Sequence, residues 1–495
     1  MESSGISRRS ALTGTAAGML AGAGMHAASA GTASAADTSA TPPAVPAQRP
    51  DVVVIGGGIA GLACARRLKR EGASVVLLEA KDRLGGRIHT QAQENGPVID
   101  LGAQFIGDAQ RRISALVDEV GLTRVKPYQD GDSLYRPEPE HGATRRVPEG
   151  RLPLSMLGQL DAYQATKRLG RGAVTETAER VRLDAMSASS FVRDLTFTRA
   201  ARSFLLRYLE SELCLPGEEM SALEMLDQVS SVGGFDGEQA SAQWFLAEGM
   251  GPLVQHLADS LGASCVLGAP VLGLERKSER MIIDTPRGSF AGHQVVVAVP
   301  PQLYGRMRLA SWFAEPERKV LSDYRIGSVI KTVLVFAKPW WRDLGLSGRA
   351  GSAGGLVNAM VDASPADSSV GILVLFSTGG SGRRLAAKRS EPERINLAVE
   401  ELSRAVARPV PPAISARSVD WNDDPWSLGG YASRRGPGGW VQAPDLFRSR
   451  GCFHFAGSET ADEWRSFMEG ALQSAERAAS AALQPQNSCE SAVRA

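Results

Sequence analysis

Neither basic nor acidic residues are in excess in this chain. Its 495 residues carry 55 Lys+Arg against 54 Asp+Glu, a formal net charge of +1, so the total gives no reason to expect nucleic acid or an anionic membrane surface as a partner. Metal-binding patterns are missing too. The five cysteines, Cys64, Cys214, Cys265, Cys452 and Cys489, include no CxxC and form no Cys/His cluster, which argues against a zinc or iron–sulfur centre. Their odd, scattered count reads as buried thiols rather than a disulfide framework. No stretch reaches the roughly 18 consecutive apolar residues of a bilayer-spanning helix, so stable membrane insertion is not expected. What is present is an ordinary globular composition, 43% hydrophobic against 22% charged. At about 150 residues per domain, the length suggests roughly two to four domains.

The first 47 residues differ from the rest. Ser7-Arg8-Arg9-Ser10-Ala11-Leu12 is followed by a soft Ala/Gly stretch to Ala30, with small-residue sites at Ala28-Ser29-Ala30 and Ala33-Ser34-Ala35. A charged start, a weakly apolar middle and such sites describe a secretory signal. The paired arginines resemble a twin-arginine signal, which exports folded proteins. The expectation is a periplasmic or extracellular protein that meets the twin-arginine export machinery.

After Pro50 the pattern changes. Asp51-Val52-Val53-Val54-Ile55 is a short β-branched run suited to a strand buried on both faces. Gly56-Gly57-Gly58-Ile59-Ala60-Gly61 follows, then helix-forming residues Leu62 to Arg70, then the apolar run Val75 to Leu78 ending at Glu79. Strand, GxGxxG, helix, strand, acid is the order of a dinucleotide-binding unit. Gly56 permits the tight turn, Gly58 lets backbone approach a pyrophosphate, and Gly61 lets helix and strand pack closely. The helix start, with Ile59 and Ala60, offers free N–H groups to phosphate, and Glu79 can accept from ribose hydroxyls.

The run continues Glu79-Ala80-Lys81-Asp82-Arg83-Leu84-Gly85-Gly86-Arg87, which resembles the flavin-containing amine oxidases of the monoamine oxidase family and their relatives. Gly86 can lie against a cofactor, and the Arg87 fork can reach a phosphate; Lys81 stands where the family often has Arg. Gly102-Ala103-Gln104-Phe105 resembles the family segment along the flavin, and Val271 the residue against its adenine side. Phe453 to Thr460, containing Ala456-Gly457-Ser458-Glu459-Thr460, and Met468-Glu469-Gly470-Ala471 resemble the C-terminal signature. There the likeness puts Ser458, Glu459 and Met468 near the pyrophosphate, ribitol and isoalloxazine.

For the reacting centre the resemblance implies four residues. Lys331, in Gly327-Ser328-Val329-Ile330-Lys331, matches the lysine that bridges to flavin N5 through water. Tyr431 and Phe467 match the pair of aromatic faces flanking the amine, with Phe a departure from the family's Tyr or Trp. Trp464 resembles a flavin-side Trp. Gly430 stands where the animal monoamine oxidases bond a cysteine to the flavin, so FAD is expected to be noncovalent.

The fold expected is α/β: a two-domain flavoprotein with a GxGxxG Rossmann-like FAD domain and an interleaved α+β substrate domain. The FAD domain is read from 48–125, 245–305 and 425–485. The substrate domain is read from 126–244, largely helical, and 306–424, with an export signal and linker at 1–47 and a disordered tail at 486–495. The activity implied is FAD-dependent amine oxidation: hydride passes from the α-carbon to flavin N5, giving imine or aldehyde, and O2 or another acceptor takes the electrons, O2 yielding H2O2. Two alternatives stand. One is an L-amino-acid oxidase, which needs a cation for the substrate carboxylate; Arg193, Arg199, Arg202 and Arg207 are candidates and Arg465 the most suggestive. The other is a flavin binder without turnover, against which Lys331 and Tyr431 argue. Oligomeric state, a homodimer included, and the identity of the amine are left open.

Overall fold

In the computed structural model, residues 49–484 are described, apart from 94–95, 138–142, 171–173, 353–354, 366–367 and 388. The expected export signal and the tail carrying Cys489 lie outside the described residues. Four consecutive buried residues make Val52–Ile55 a central strand rather than an edge. It pairs in parallel with Val75–Leu78 on one side and Gln294–Val297 on the other, Val53 facing Val76 and Val295. Phe453–Phe455 and Cys265–Val266 extend this to a five-stranded parallel sheet drawn from widely separated parts of the chain. One face is covered by the helices Ile59–Arg70, Gly251–Asp259 and Met468–Ala482, whose apolar residues share one core with Val52 and Val54. The other carries an antiparallel three-stranded layer, Gly273–Lys277, Arg280–Thr285 and Gly288–Gly292, whose Met281, Ile283 and Phe290 pack with Val53 and Ile55. Burial on both faces explains why these strands read as apolar runs rather than alternations.

A second sheet has seven strands in the order Ser415–Asp420, Val329–Phe336, Gly371–Thr378, Ala359–Asp362, Leu346–Ser352, Asp132–Arg136, Arg145–Val147. All neighbours are antiparallel except the fifth and sixth. One cross-strand row runs Lys331, Phe376, Ala359, Gly351.

The described residues between 156 and 239 form six helices joined by short loops. Hydroxyl residues start four of these helices: Ser155, Ser187, Thr198 and Ser221 accept from the N–H of Gly158, Ser190, Ala201 and Glu224. The spacing of Leu154, Leu157 and Leu160 fits the helix found here, but these leucines do not form its inner face. Leu157 and Leu160 are more than half exposed, and the helix Met156–Leu169 turns Ala162, Ala165 and Leu169 inward instead. Small residues on the inner face allow close packing, so the larger leucines lie outside. The cysteines also depart in part from the sequence reading. Cys64, Cys214 and Cys265 are free, but Cys452 is disulfide-bonded.

Candidate active site

The glycine turn is built by clashes that only hydrogen avoids. Gly56 has φ +108°, and a Cβ on Gly61 would lie 1.9 Å from the Gly56 carbonyl oxygen. Gly58 is different: a Cβ there would meet no protein atom within 4 Å. It faces a cavity of about 390 Å³ that runs from this turn to the seven-stranded sheet. Gly58 is also the N-cap of Ile59–Arg70 and supplies no side-chain cap, so the first-turn N–H groups of that helix stay unclaimed by side chains. The Gly86 backbone approaches from the other side, its missing Cβ 3.3 Å from the Gly58 Cα.

Glu79 closes this end. Its carboxylate accepts from the Gly57 and Lys81 N–H at 2.6 and 2.8 Å, and burial pushes it above the usual carboxylate range. Lys81 is ion-paired with Asp424 and lies 5.8 Å from the Trp421 ring centroid. The Arg87 guanidinium is taken by protein oxygens: Glu459 at 2.7 and 2.9 Å and the Tyr431 carbonyl at 2.7 Å. Arg87 also lines the cavity. Glu459 also accepts from the Ser458 hydroxyl at 2.9 Å, so the signature acid fixes Arg87 and the turn around Ser458.

At the other end Lys331 is 2% exposed. Its ammonium donates to the Gly102 carbonyl at 2.9 Å and to Gln104 Oε1 at 2.8 Å. Burial lowers its pKa to about 8, against the pull of Asp100. The Phe376 ring lies 5.6 Å from the ammonium, and edge to face with Tyr431 at 6.2 Å. Tyr431 and Phe467 both line the cavity, and Phe467 packs edge to face on Trp464 at 5.5 Å. Phe467 is the N-cap of Met468–Ala482, again without a side-chain cap, while Met468 and Ala471 line the wall. Glu469 turns away and holds the Arg112 and Ile113 N–H, both at 2.9 Å.

The wall therefore gathers Gly56, Gly58, Ile59, Ala60, Glu79, Lys81, Gly86 and Arg87 from the first part of the chain. It adds Gly102, Ala103, Gln104, Phe105 and Val271, then Lys331, Tyr431, Ser458, Phe467 and Met468. Gly61, Glu459 and Trp464 stand behind it. Arg465, the favoured carboxylate partner in the sequence reading, is also off the wall: it stacks on Trp440 at 4.8 Å and reaches the Asp227 carbonyl. Arg193, Arg199 and Arg202 do not line the cavity either, whereas Arg207 does, paired with Glu210 at 2.7 Å. Sequence reasoning missed Phe376, Arg349 and Trp421. The run Gly371–Thr378 is buried along almost its whole length, and that apolar run was the available signal for Phe376.

A long cleft with an open glycine cradle, an uncapped helix start and an acid beyond the second strand fits a dinucleotide. The second uncapped helix start and the buried lysine fit a redox ring at its far end. Fold and site thus define a two-domain flavoprotein oxidoreductase. More specifically, the chain belongs to the flavin-containing amine oxidoreductases, whose family profile matches residues 59–483. It is an oxidoreductase acting on amines. It is 27% identical over 463 residues to an L-amino acid dehydrogenase of Synechocystis, covering 90% of this chain and 98% of that one. It is 27% identical over 446 residues to flavin-containing amine oxidase B of Bos taurus, covering 87% and 85%. Among solved structures, wild-type putrescine oxidase bound to putrescine superposes with a TM-score of 0.80 at 25% identity, covering 88% of this chain and 99% of that one.

Proposed function

We propose that the protein is an FAD-dependent oxidase of a primary amine, with the FAD held noncovalently. The observation that carries this reading is Lys331, a buried ammonium fixed on Gly102 and Gln104 in one cavity with Tyr431 and Phe467. A flavin bound there supplies a two-electron acceptor for the carbon that bears the amine. The glycine turn and the start of Ile59–Arg70 would hold its phosphates, and Glu79 would accept from its ribose hydroxyls. The start of Met468–Ala482, which borders the cavity, would favour negative charge on a reduced ring. Tyr431 and Phe467 present two aromatic faces that orient a neutral amine, and Lys331 keeps a cation beside the reacting atoms. In net terms the amine loses two electrons and two protons to become an imine, O2 gains them as H2O2, and water converts the imine to aldehyde and ammonia. Gly430 supports noncovalent binding, since a Cβ there would sit 2.6 Å from Val329 Cγ1, and among the described residues no cysteine or histidine lines the cavity.

Export by the twin-arginine route belongs to the same proposal and rests on Arg8-Arg9 and the small-residue sites beyond them. Replacing both arginines by lysine is expected to keep the protein in the cytoplasm of an exporting host. The activity itself is tested by incubating the yellow protein with primary amines in air. One H2O2 and one aldehyde per amine are expected. Turnover with a dye but none with O2 would reassign the acceptor, and no turnover with either would refute the reading.

A further inference from the structure

One cation on the cavity wall has no directly bonded partner among the described residues. Among the described residues, the other basic side chains there each have an oxygen partner. Lys81 has Asp424, Arg87 has Glu459, Lys331 has Gln104, Arg207 has Glu210, Arg434 has Gln228 and Arg306 has the Pro425 carbonyl. Arg349, on the strand Leu346–Ser352, is the exception. Among the described residues no hydrogen bond or ion pair is seen at its guanidinium, its Nε is buried without a partner, and Asp362 and Glu149 attract it only through space. The carboxylate on the adjacent strand, Asp362, is already engaged by Trp341 Nε1 at 2.8 Å, Arg342 at 2.9 Å and the Ser364 N–H at 2.7 Å. A half-buried guanidinium left unpaired is costly unless an anion arrives to meet it.

Its position says where that anion would be. The row Lys331, Phe376, Ala359, Gly351 spans three strand spacings, and Arg349 is two residues from Gly351, on the same face. At about 4.8 Å per strand, the Lys331 and Gly351 backbones are roughly 14 Å apart. Arg349 also borders a second, smaller cavity of about 110 Å³, sharing with the first the rings of Tyr135, Phe204 and Tyr208. The guanidinium therefore stands at the far wall, across apolar surface from the reacting end. Glu212 also lines the cavity but is itself partnered, so it is a weaker candidate for a distal ammonium.

We infer that Arg349 binds a carboxylate on the substrate, remote from the reacting amine, which makes ω-amino carboxylates the preferred substrate class. This rests on the amine-oxidase reading, and the fork geometry of Arg suits a carboxylate. The test uses one five-carbon series, 5-aminopentanoate, pentylamine, 1,5-diaminopentane and 2-aminopentanoate, with the flavin-loaded wild type, Arg349→Met and Arg349→Lys. Wild type is expected to favour 5-aminopentanoate. In Arg349→Met the ratio of kcat/KM for 5-aminopentanoate over pentylamine should fall about 10- to 100-fold, and Arg349→Lys should restore part of it. Pentanoate, which has no amine to oxidise, should bind wild type by calorimetry and bind Arg349→Met at least about tenfold more weakly. Loss of the carboxylate preference only because the variant unfolds would show in its Tm and in failure of the Lys variant as well. A preference for pentylamine or the diamine, a preference for 2-aminopentanoate, or equal or absent pentanoate binding would each overturn the inference. Failure of all four amines to reduce the flavin would instead count against the amine-oxidase reading, leaving pentanoate binding to decide Arg349.

Discussion

Lys331 sits where a charge is hard to keep. It is enclosed by the seven-stranded sheet, holds two oxygens, and titrates near 8 rather than at its ordinary 10.5. Under the proposed oxidase activity, a cation there would stabilise the superoxide-like charge that develops when electrons pass to O2, and low-dielectric surroundings would enlarge that effect. Removing one such preorganised group costs roughly 2.7–4 kcal/mol, or 10²–10³ in rate. Lys331→Met is therefore expected to slow flavin reoxidation by up to that factor while slowing reduction by amine less. The sign of the pH effect follows from the lowered value. The ammonium is present below about 8 and lost above it, so wild-type reoxidation should slow as pH rises through 8 and the Met variant should show no such step. Rapid mixing of reduced protein with oxygenated buffer checks both; equal rates and equal pH profiles would make Lys331 an ordinary strand residue. The motif around Lys331 pointed to the residue itself. Its partners Gly102 and Gln104, more than two hundred residues away, were legible only through the family likeness, because chain proximity carries no information about them.

The glycines of the turn act through the elements they join, and they separate folding from binding. Gly61 lets the helix Ile59–Arg70 pass against the Gly56 carbonyl, so Gly61→Ala forces a backbone shift and is expected to destabilise the flavin-free protein by about 1–3 kcal/mol. Gly58 has open space where its Cβ would be, so Gly58→Ala should change flavin-free stability by no more than about 0.5 kcal/mol. The same methyl would intrude on the phosphate cradle and weaken flavin binding by roughly one to two powers of ten. Thermal unfolding without flavin and fluorescence titration with FAD measure the two effects. Gly58→Ala lowering Tm as much as Gly61→Ala would mean the turn has no open cradle. At this scale strand and helix positions were legible, since buried parallel strands and hydroxyl N-caps leave local marks. Which helix face turns inward was not: Leu157 and Leu160 carry the right period but lie outside, because Ala162 and Ala165 permit the closer contact.

Across the whole molecule, one cavity joins two sheets built from interleaved stretches, so binding and chemistry depend on residues from 56 to 471 at once. The motifs marked both ends of that cavity. They could not mark its far wall, where Arg349 is placed by the strand order and register of the seven-stranded sheet. Denaturation would dismantle every noncovalent contact to a bound flavin together, and among the described residues no thiol lines the cavity to keep it. FAD is accordingly expected in the supernatant after acid precipitation, with a colourless pellet; flavin remaining with the pellet would contradict noncovalent binding. The central claim is that an amine delivers two electrons to a flavin in this cavity. The direct measurement is anaerobic mixing of the flavin-loaded protein with a primary amine while the visible flavin band is followed. Complete bleaching at a rate that saturates with amine, and recovery on admitting O2, is the predicted result. A band left unchanged by every amine tried, although dithionite bleaches it, would contradict the claim.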